Sequence, residues 1–191
     1  MVYTTNASTY MGPVEIGLFV AMVLFGCSIV QGYLYFSTFR KDPLVFKAMV
    51  AATLALESAY IISVASCVWT MTISSVNDPS LLLVYPIGAE LGLVFTIFIS
   101  GITETFFIYR LVKFSKTLAF PALCGTISFL TVISGMIVAG EAFRMTSVAE
   151  FQTTQFRLIN LLLVSDSACA LLITTGMVYH LRKSRSRGLP R

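Results

Sequence analysis

Charge is what this sequence has least of. Only 12% of its 191 residues are Asp, Glu, Lys or Arg, while 57% are hydrophobic, a balance that excludes an ordinary soluble globular domain. Histidine occurs once, at His180, beside Arg182 and Lys183 and with no second ligand in sequence. It therefore reads as an interface residue, not a metal ligand. Cys27, Cys67, Cys124 and Cys169 are far apart, each inside an apolar stretch. That spacing fits neither a disulfide framework nor a zinc pattern, and they read as small packing residues. There is no phosphate-binding glycine loop, nucleophile elbow or zinc-helix signature, so no cofactor or metal is expected. The net charge of +4 does not point to nucleic acid either, because the basic residues sit between apolar runs instead of forming a water-facing patch.

What is present is long apolar runs. A helical span needs about 20 apolar residues to cross a bilayer core, and five runs are long enough: about 14–36, 44–74, 81–109, 118–140 and 158–181. The fold class expected is an all-α, polytopic transmembrane bundle of five spans over 14–182, with a short tail at 1–13 and a basic tail at 183–191. The first run has no Lys or Arg before it, unlike a cleaved signal peptide. Asn77-Asp78-Pro79 marks a turn after the second run. Ser147 and Glu150 have capping-box spacing, which predicts an early start for the last helix.

The scarce charges report orientation. Arg40, Lys41, Lys47, Arg110, Lys113, Lys116, Arg182, Lys183, Arg185, Arg187 and Arg191 fall on one side of the five runs, and only Arg144 and Arg157 on the other. Lys and Arg beside spans stay cytoplasmic, which predicts an outer amino terminus and a cytoplasmic carboxyl terminus. An odd number of spans requires opposite termini, so count and bias agree. Asn6-Ala7-Ser8 is then a glycosylation sequon on the outer tail.

Helices in lipid associate through small residues and polar contacts. In the second run Ala51, Ala55, Ala59, Ser63 and Cys67 recur every four residues, with Glu57 on the opposite side. This predicts a helix covered on both faces and among the most buried. Gly135 and Ala139 share the spacing in the fourth run.

Intramembrane carboxyl groups are costly and mark sites. Glu57, Glu90 and Asp166 each lie about 13–15 Å from the nearest interface marker, near the midplane, with no basic residue at that depth. Three unpaired carboxylates cannot all be ionised in such a place. Together with Tyr60 and Asn160, and with Ser165 and Ser167 flanking Asp166, they form an expected polar cluster. Glu104 is shallower, with Gln31 in its layer and Arg110 or Lys47 within snorkelling reach.

The order of several short strings resembles a family of multispanning membrane proteins from basidiomycete, mushroom-forming fungi, known as a domain of unknown function. The strings are Gly26, Gln31, Tyr35-Phe36, Asp42 and Lys47 at the first span and its loop, Glu104-Thr105-Phe106-Phe107, Arg110 and Ser115 at the third, and Asp166, Tyr179, Leu181 and Ser184-Arg185 at the fifth. They cover about 17–188. The resemblance implies a plasma-membrane or endomembrane protein of a fungal cell, usually with seven spans, of which this chain matches the first five. Two positions depart from the pattern. Glu57 and Tyr60 stand where the family has an Asp and then a His, and Glu104 stands where a Gln is common. The resemblance brings no substrate.

Three functions fit these readings. The first is a receptor-like or carrier-like bundle that binds a small molecule, cation or proton at the midplane acids. The second is a membrane-embedded enzyme using Asp166 or Glu57 as general acid on a lipophilic substrate. The third is an assembly subunit that binds no ligand. A watery cavity at the acids would favour the first, a dry apolar pocket with an acid at its wall the second, and acids packed helix to helix the third. Expected partners are the lipid bilayer, a small molecule or cation, and either a second copy or two further spans.

Overall fold

A computed structural model describes the backbone of residues 4–77, 86–114, 119–144 and 148–187, and the side chains of 12–76, 86–113, 120–144 and 158–178. All regular structure among them is helical: α1 (Thr4–Thr38), α2 (Leu44–Trp69), a π turn (Thr70–Ser74) running into the short α3 (Ser75–Asn77), α4 (Ile87–Phe114), α5 (Ala119–Ala142) and α6 (Val148–Arg187). In hydrocarbon every backbone N–H and C=O must be satisfied within the chain, which is why apolar runs of this length are helices.

Among the described residues five helices are long and apolar enough to cross a membrane: Gly12–Thr38, Leu44–Ser74, Ile87–Lys113, Phe120–Ala142 and Leu158–Val178. The second matches its expected limits, and the others shift by a few residues. The third differs most, for α4 starts only after Pro86, whose carbonyl accepts from the amides of Ala89 and Glu90 at 2.8 and 3.4 Å. Its expected first residues, Leu81 to Tyr85, lie outside the described residues, as do Asp78 and Pro79 of the expected turn. At the two ends the chain is more helical than expected. Helix α1 already runs from Thr4 and α6 continues to Arg187, through much of the stretches read as tails, while the start of α6 at Val148 is the early start that the Ser147 and Glu150 spacing predicts. Asn6 lies in the first turn of α1, with its side chain outside the described residues.

The packing is built around α4, which touches α2 on one side and α5 and α6 on the other; α1 packs on α2, and α5 on α6. Helix α4 is suited to this by its two faces. Toward α2 it presents Gly88, Gly92 and Phe106: a Cβ added to Gly88 would lie 2.9 Å from the backbone nitrogen of Cys67, one added to Gly92 would meet Val64, and Phe106 meets Phe46 edge to face at 5.8 Å. Toward α5 and α6 it presents Ile97, Gly101, Glu104 and Leu111. Ile97 packs on Gly135, Gly101 on Val132, and Leu111 against Cys124 and Cys169.

The expected ladder on α2 is thus corrected. Steps of four residues advance about 400° along a helix, so each member turns about 40° from the last, and Ala51 to Cys67 cannot share one face. Only Ser63 and Cys67 are buried; Ala51 and Ala55 are exposed and Ala59 is intermediate. Helix α2 is covered on two sides, by α1 at Leu54 and by α4 at Ser63 and Cys67, as expected, but it is not among the most buried; α4, between α2 and the α5–α6 pair, is covered on two sides as well. Gly135 and Ala139 on α5 are buried as packing residues.

Large apolar side chains cover the outside, among them Phe19, Val23, Ile62, Phe129 and Leu171. Such a surface suits lipid and not water. The turn between α1 and α2 is held by its own polar groups. Tyr35 donates its hydroxyl to Asp42 at 3.1 Å, and Lys47 donates to the carbonyl of Arg40 at 2.7 Å. These three side chains belong to the strings that carry the family resemblance, and here each has a local structural duty.

Candidate functional site

The interior of α4, α5 and α6 is layered. Toward one end Leu111, Cys124, Cys169, Ile173 and Met177 form an apolar cluster; toward the other Val138 and Ala142 pack with Leu93, Ile159 and Leu162. Between them lies a polar layer drawn from all three helices. Ser100 on α4 donates to Oδ1 of Asp166 on α6 at 2.6 Å. One turn along α4, Oε2 of Glu104 accepts the hydroxyl hydrogen of Ser128 on α5. Cys169, one turn after Asp166 on α6, directs its thiol to the carbonyl of Cys124 at 3.8 Å and lies close to Glu104.

Glu104 is the most telling member. Its residue is only 7% exposed, and its second carboxyl oxygen, Oε1, is buried with no hydrogen-bond partner among the described residues. Neither expected cation reaches it. Arg110 stands over the ring of Phe106, 5.7 Å from its centroid, and Lys47 is engaged with Arg40 in the turn. Gln31 is exposed on α1. The inner layer of Gln31, Lys47, Glu104 and Arg110 is therefore not assembled, and the partner that replaces it is Ser128.

The midplane cluster is not assembled either. With α4 as a ruler, Glu90 lies ten residues before Ser100, the level of Asp166, a rise of about 15 Å. Glu90 is in fact buried in the first turn of α4, where the free amides and dipole of a helix start favour a carboxylate. Glu57 lies one turn before Tyr60, which meets α4 at Gly92; α2 runs antiparallel to α4, so Glu57 stands near the level of Thr96, about one turn from Ser100, but the hydrogen-bond partner of Asp166 is Ser100. One oxygen of Glu57, Oε2, is buried and has no partner among the described residues, Tyr60 included. Asn160 is exposed. Among the described residues no group of three or more His, Cys, Asp or Glu side chains has the arrangement of a metal site.

Sequence reasoning passed over Ser100, Ser128 and the Cys124–Cys169 contact, and also Gly88-x-x-x-Gly92. The last is a readable signal, since two glycines four apart in an apolar helix mark a close crossing. The serines carry no such mark. Hydroxyls are frequent in these helices, and most of them turn back on their own helix, as Thr103 does onto Ile99 at 2.7 Å and Ser63 onto Ala59 at 2.8 Å.

Comparison with protein-family models, with curated proteins and with solved structures finds no match for this chain.

Proposed function

We propose that the protein is a multi-pass membrane bundle of receptor-like or carrier-like type whose α4–α5–α6 seam binds one positive charge, a proton or a small cation, at Glu104. The observation that carries this is the free, buried Oε1 of Glu104. A carboxylate removed from water is costly unless a positive charge or enough donors compensate it, and here Ser128 donates to it with the weakly donating thiol of Cys169 close by. A bound proton or cation supplies what is lacking. Asp166 and Ser100, one turn away, give the same layer a second carboxyl group and a hydroxyl. The layer takes the place of the Glu57, Glu90 and Asp166 cluster expected from depth.

The orientation belongs to this proposal as well. The amino terminus is outside and the basic ends of α1, α4 and α6 are cytoplasmic, supported by the charge bias. So does membership in the fungal seven-span family, supported by the residue strings above, with a plasma-membrane or endomembrane location.

A second reading, a membrane enzyme with an intramembrane general acid, is favoured by one feature: an open-sided apolar groove has Ser128 in its wall. The acid behind that wall is Glu104, one hydrogen bond away, and not Asp166 or Glu57.

Carbodiimide treatment of the protein in phospholipid nanodiscs, followed by peptide mass spectrometry, tests the proposal. Glu104 should be modified, at a rate that one added monovalent cation changes, and Glu104→Gln should abolish the modification. Complete inertness of Glu104 under all these conditions would rule the reading out.

A further inference from the structure

The groove is formed on the side of α4 left open between α2 and α5. Its volume is about 880 Å³, within the range of sites that enclose a small molecule, about 300–1,000 Å³. Its walls are apolar except at two hydroxyls, Thr105 on α4 and Ser128 on α5. Both have their hydrogens committed elsewhere. Thr105 donates to the carbonyl of Gly101 at 2.7 Å, and Ser128 donates to Oε2 of Glu104. A hydroxyl has one hydrogen and two lone pairs, so what these side chains have left for the groove is acceptor capacity alone. This holds for Ser128 whether Glu104 is ionised or carries a proton on Oε1.

We infer that the groove is a binding site for one neutral lipid alcohol drawn from the bilayer, its chain against Ala52, Gly101 and Val132 and its hydroxyl hydrogen given to Ser128 or Thr105. A hydrocarbon chain satisfies the apolar walls. Only a ligand that carries a donor also satisfies one of the two acceptors, which in a dry site is what separates a bound ligand from a solvating acyl chain. The inference does not depend on charge binding at Glu104, because Ser128 is oriented by a carboxyl or an amide oxygen alike.

The test uses the full chain in phosphatidylcholine nanodiscs and two photoreactive probes, hexadecanol with a diazirine at its far end and the methyl ether of the same molecule. The alcohol should label peptides that line the groove about tenfold more than the ether, the worth of one hydrogen bond in a dry site. Ser128→Ala combined with Thr105→Val should erase that preference, Ser128→Thr should retain it, and Ala52→Phe, which narrows the groove, should lower labelling by both probes. Glu104→Gln keeps an oxygen for Ser128 and should leave the preference intact, so a failure of charge binding and a failure of alcohol binding are distinguishable. Equal labelling of the native protein by alcohol and ether overturns the inference, independently of how the variants fold. It is overturned equally if neither probe enters because a second copy covers the groove, which crosslinking between groove residues of two chains would reveal.

Discussion

Ser100 on α4 and Asp166 on α6 meet at 2.6 Å, hydroxyl to carboxyl, at a level where α5 contributes the neighbouring Ser128. The contact ties together two helices that are far apart in sequence. Hydrogen bonds between membrane helices contribute about 0.6 kcal/mol on average, because side chains also find partners in the unassembled state. Asp166→Asn keeps an oxygen for Ser100 and should change stability by less than about 0.5 kcal/mol. Asp166→Val should cost about 1 kcal/mol, and a double-mutant cycle with Ser100→Ala should return a coupling near about 0.6 kcal/mol. Reversible unfolding in detergent measures all three. A coupling of zero would mean that the two groups do not interact in the folded protein.

The crossing of α2 and α4 rests on Gly88. A Cβ there meets the backbone of Cys67 and Ser63 rather than a movable side chain, so the helices must separate to admit it. Gly88→Ala should therefore destabilise by about 1–3 kcal/mol. At Gly26 nothing lies within 4 Å of an added Cβ. Gly26→Ala should be neutral or should stabilise by up to about 1 kcal/mol, through the lower conformational freedom of alanine. Gly135 is intermediate, since its Cβ would come within 3.0 Å of Cγ1 of Ile97, which can rotate aside. The order Gly88, Gly135, Gly26 in loss of stability is the result to look for; a Gly88→Ala protein as stable as the native one contradicts the crossing.

These contacts also show how far the sequence could be read. Hydropathy locates a span because burial in lipid depends on composition over some twenty residues, and here it located all five. Levels along the bundle are less legible. Counting from the end of an apolar run puts Glu90 beside Asp166, whereas it lies in the first turn of α4, ten residues and about 15 Å before Ser100. Partners are least legible. Distance along the chain matches Glu104 to cations, yet Arg110 lies about 120° around α4 from Glu104, over the ring of Phe106, and Lys47 is held in a turn. Which helix lies across from Glu104 depends on the packing of α4 against α5, set by Gly101, Gly135 and their neighbours, and no local pattern announces Ser128.

The turn between α1 and α2 gives a further expectation. Lys47 reaches back to the carbonyl of Arg40 while Tyr35 holds Asp42, so the turn is clamped from both helices. Lys47→Met should loosen it without touching the α4–α5–α6 seam. Hydrogen exchange should rise at residues 39–42 by about tenfold, in line with one charge-assisted bond of about 1.5 kcal/mol, while exchange in α5 stays as it was. If Lys47 instead served Glu104, the change would appear in α4 and α5.

Orientation can be checked with cysteines already suited to the purpose. Cys67, Cys124 and Cys169 are buried and Cys27 is exposed, so a Cys27→Ser background leaves little reactive thiol on the surface. Arg40 and Arg144 are both exposed, at opposite ends of the bundle. In the orientation proposed from the bias of Lys and Arg, Arg40 is cytoplasmic and Arg144 is outside. A membrane-impermeant maleimide on intact cells should label Arg144→Cys, and should reach Arg40→Cys only after permeabilisation. The reverse pattern would put the basic turns outside, against the strongest regularity in the distribution of charge, and would also move the Asn6 sequon to the cytoplasmic side. Labelling of both positions on intact cells would mean that the chain between them does not return across the membrane as α2, α4 and α5 require: Arg40 precedes α2 and Arg144 follows α5, and three crossings must leave them on opposite sides.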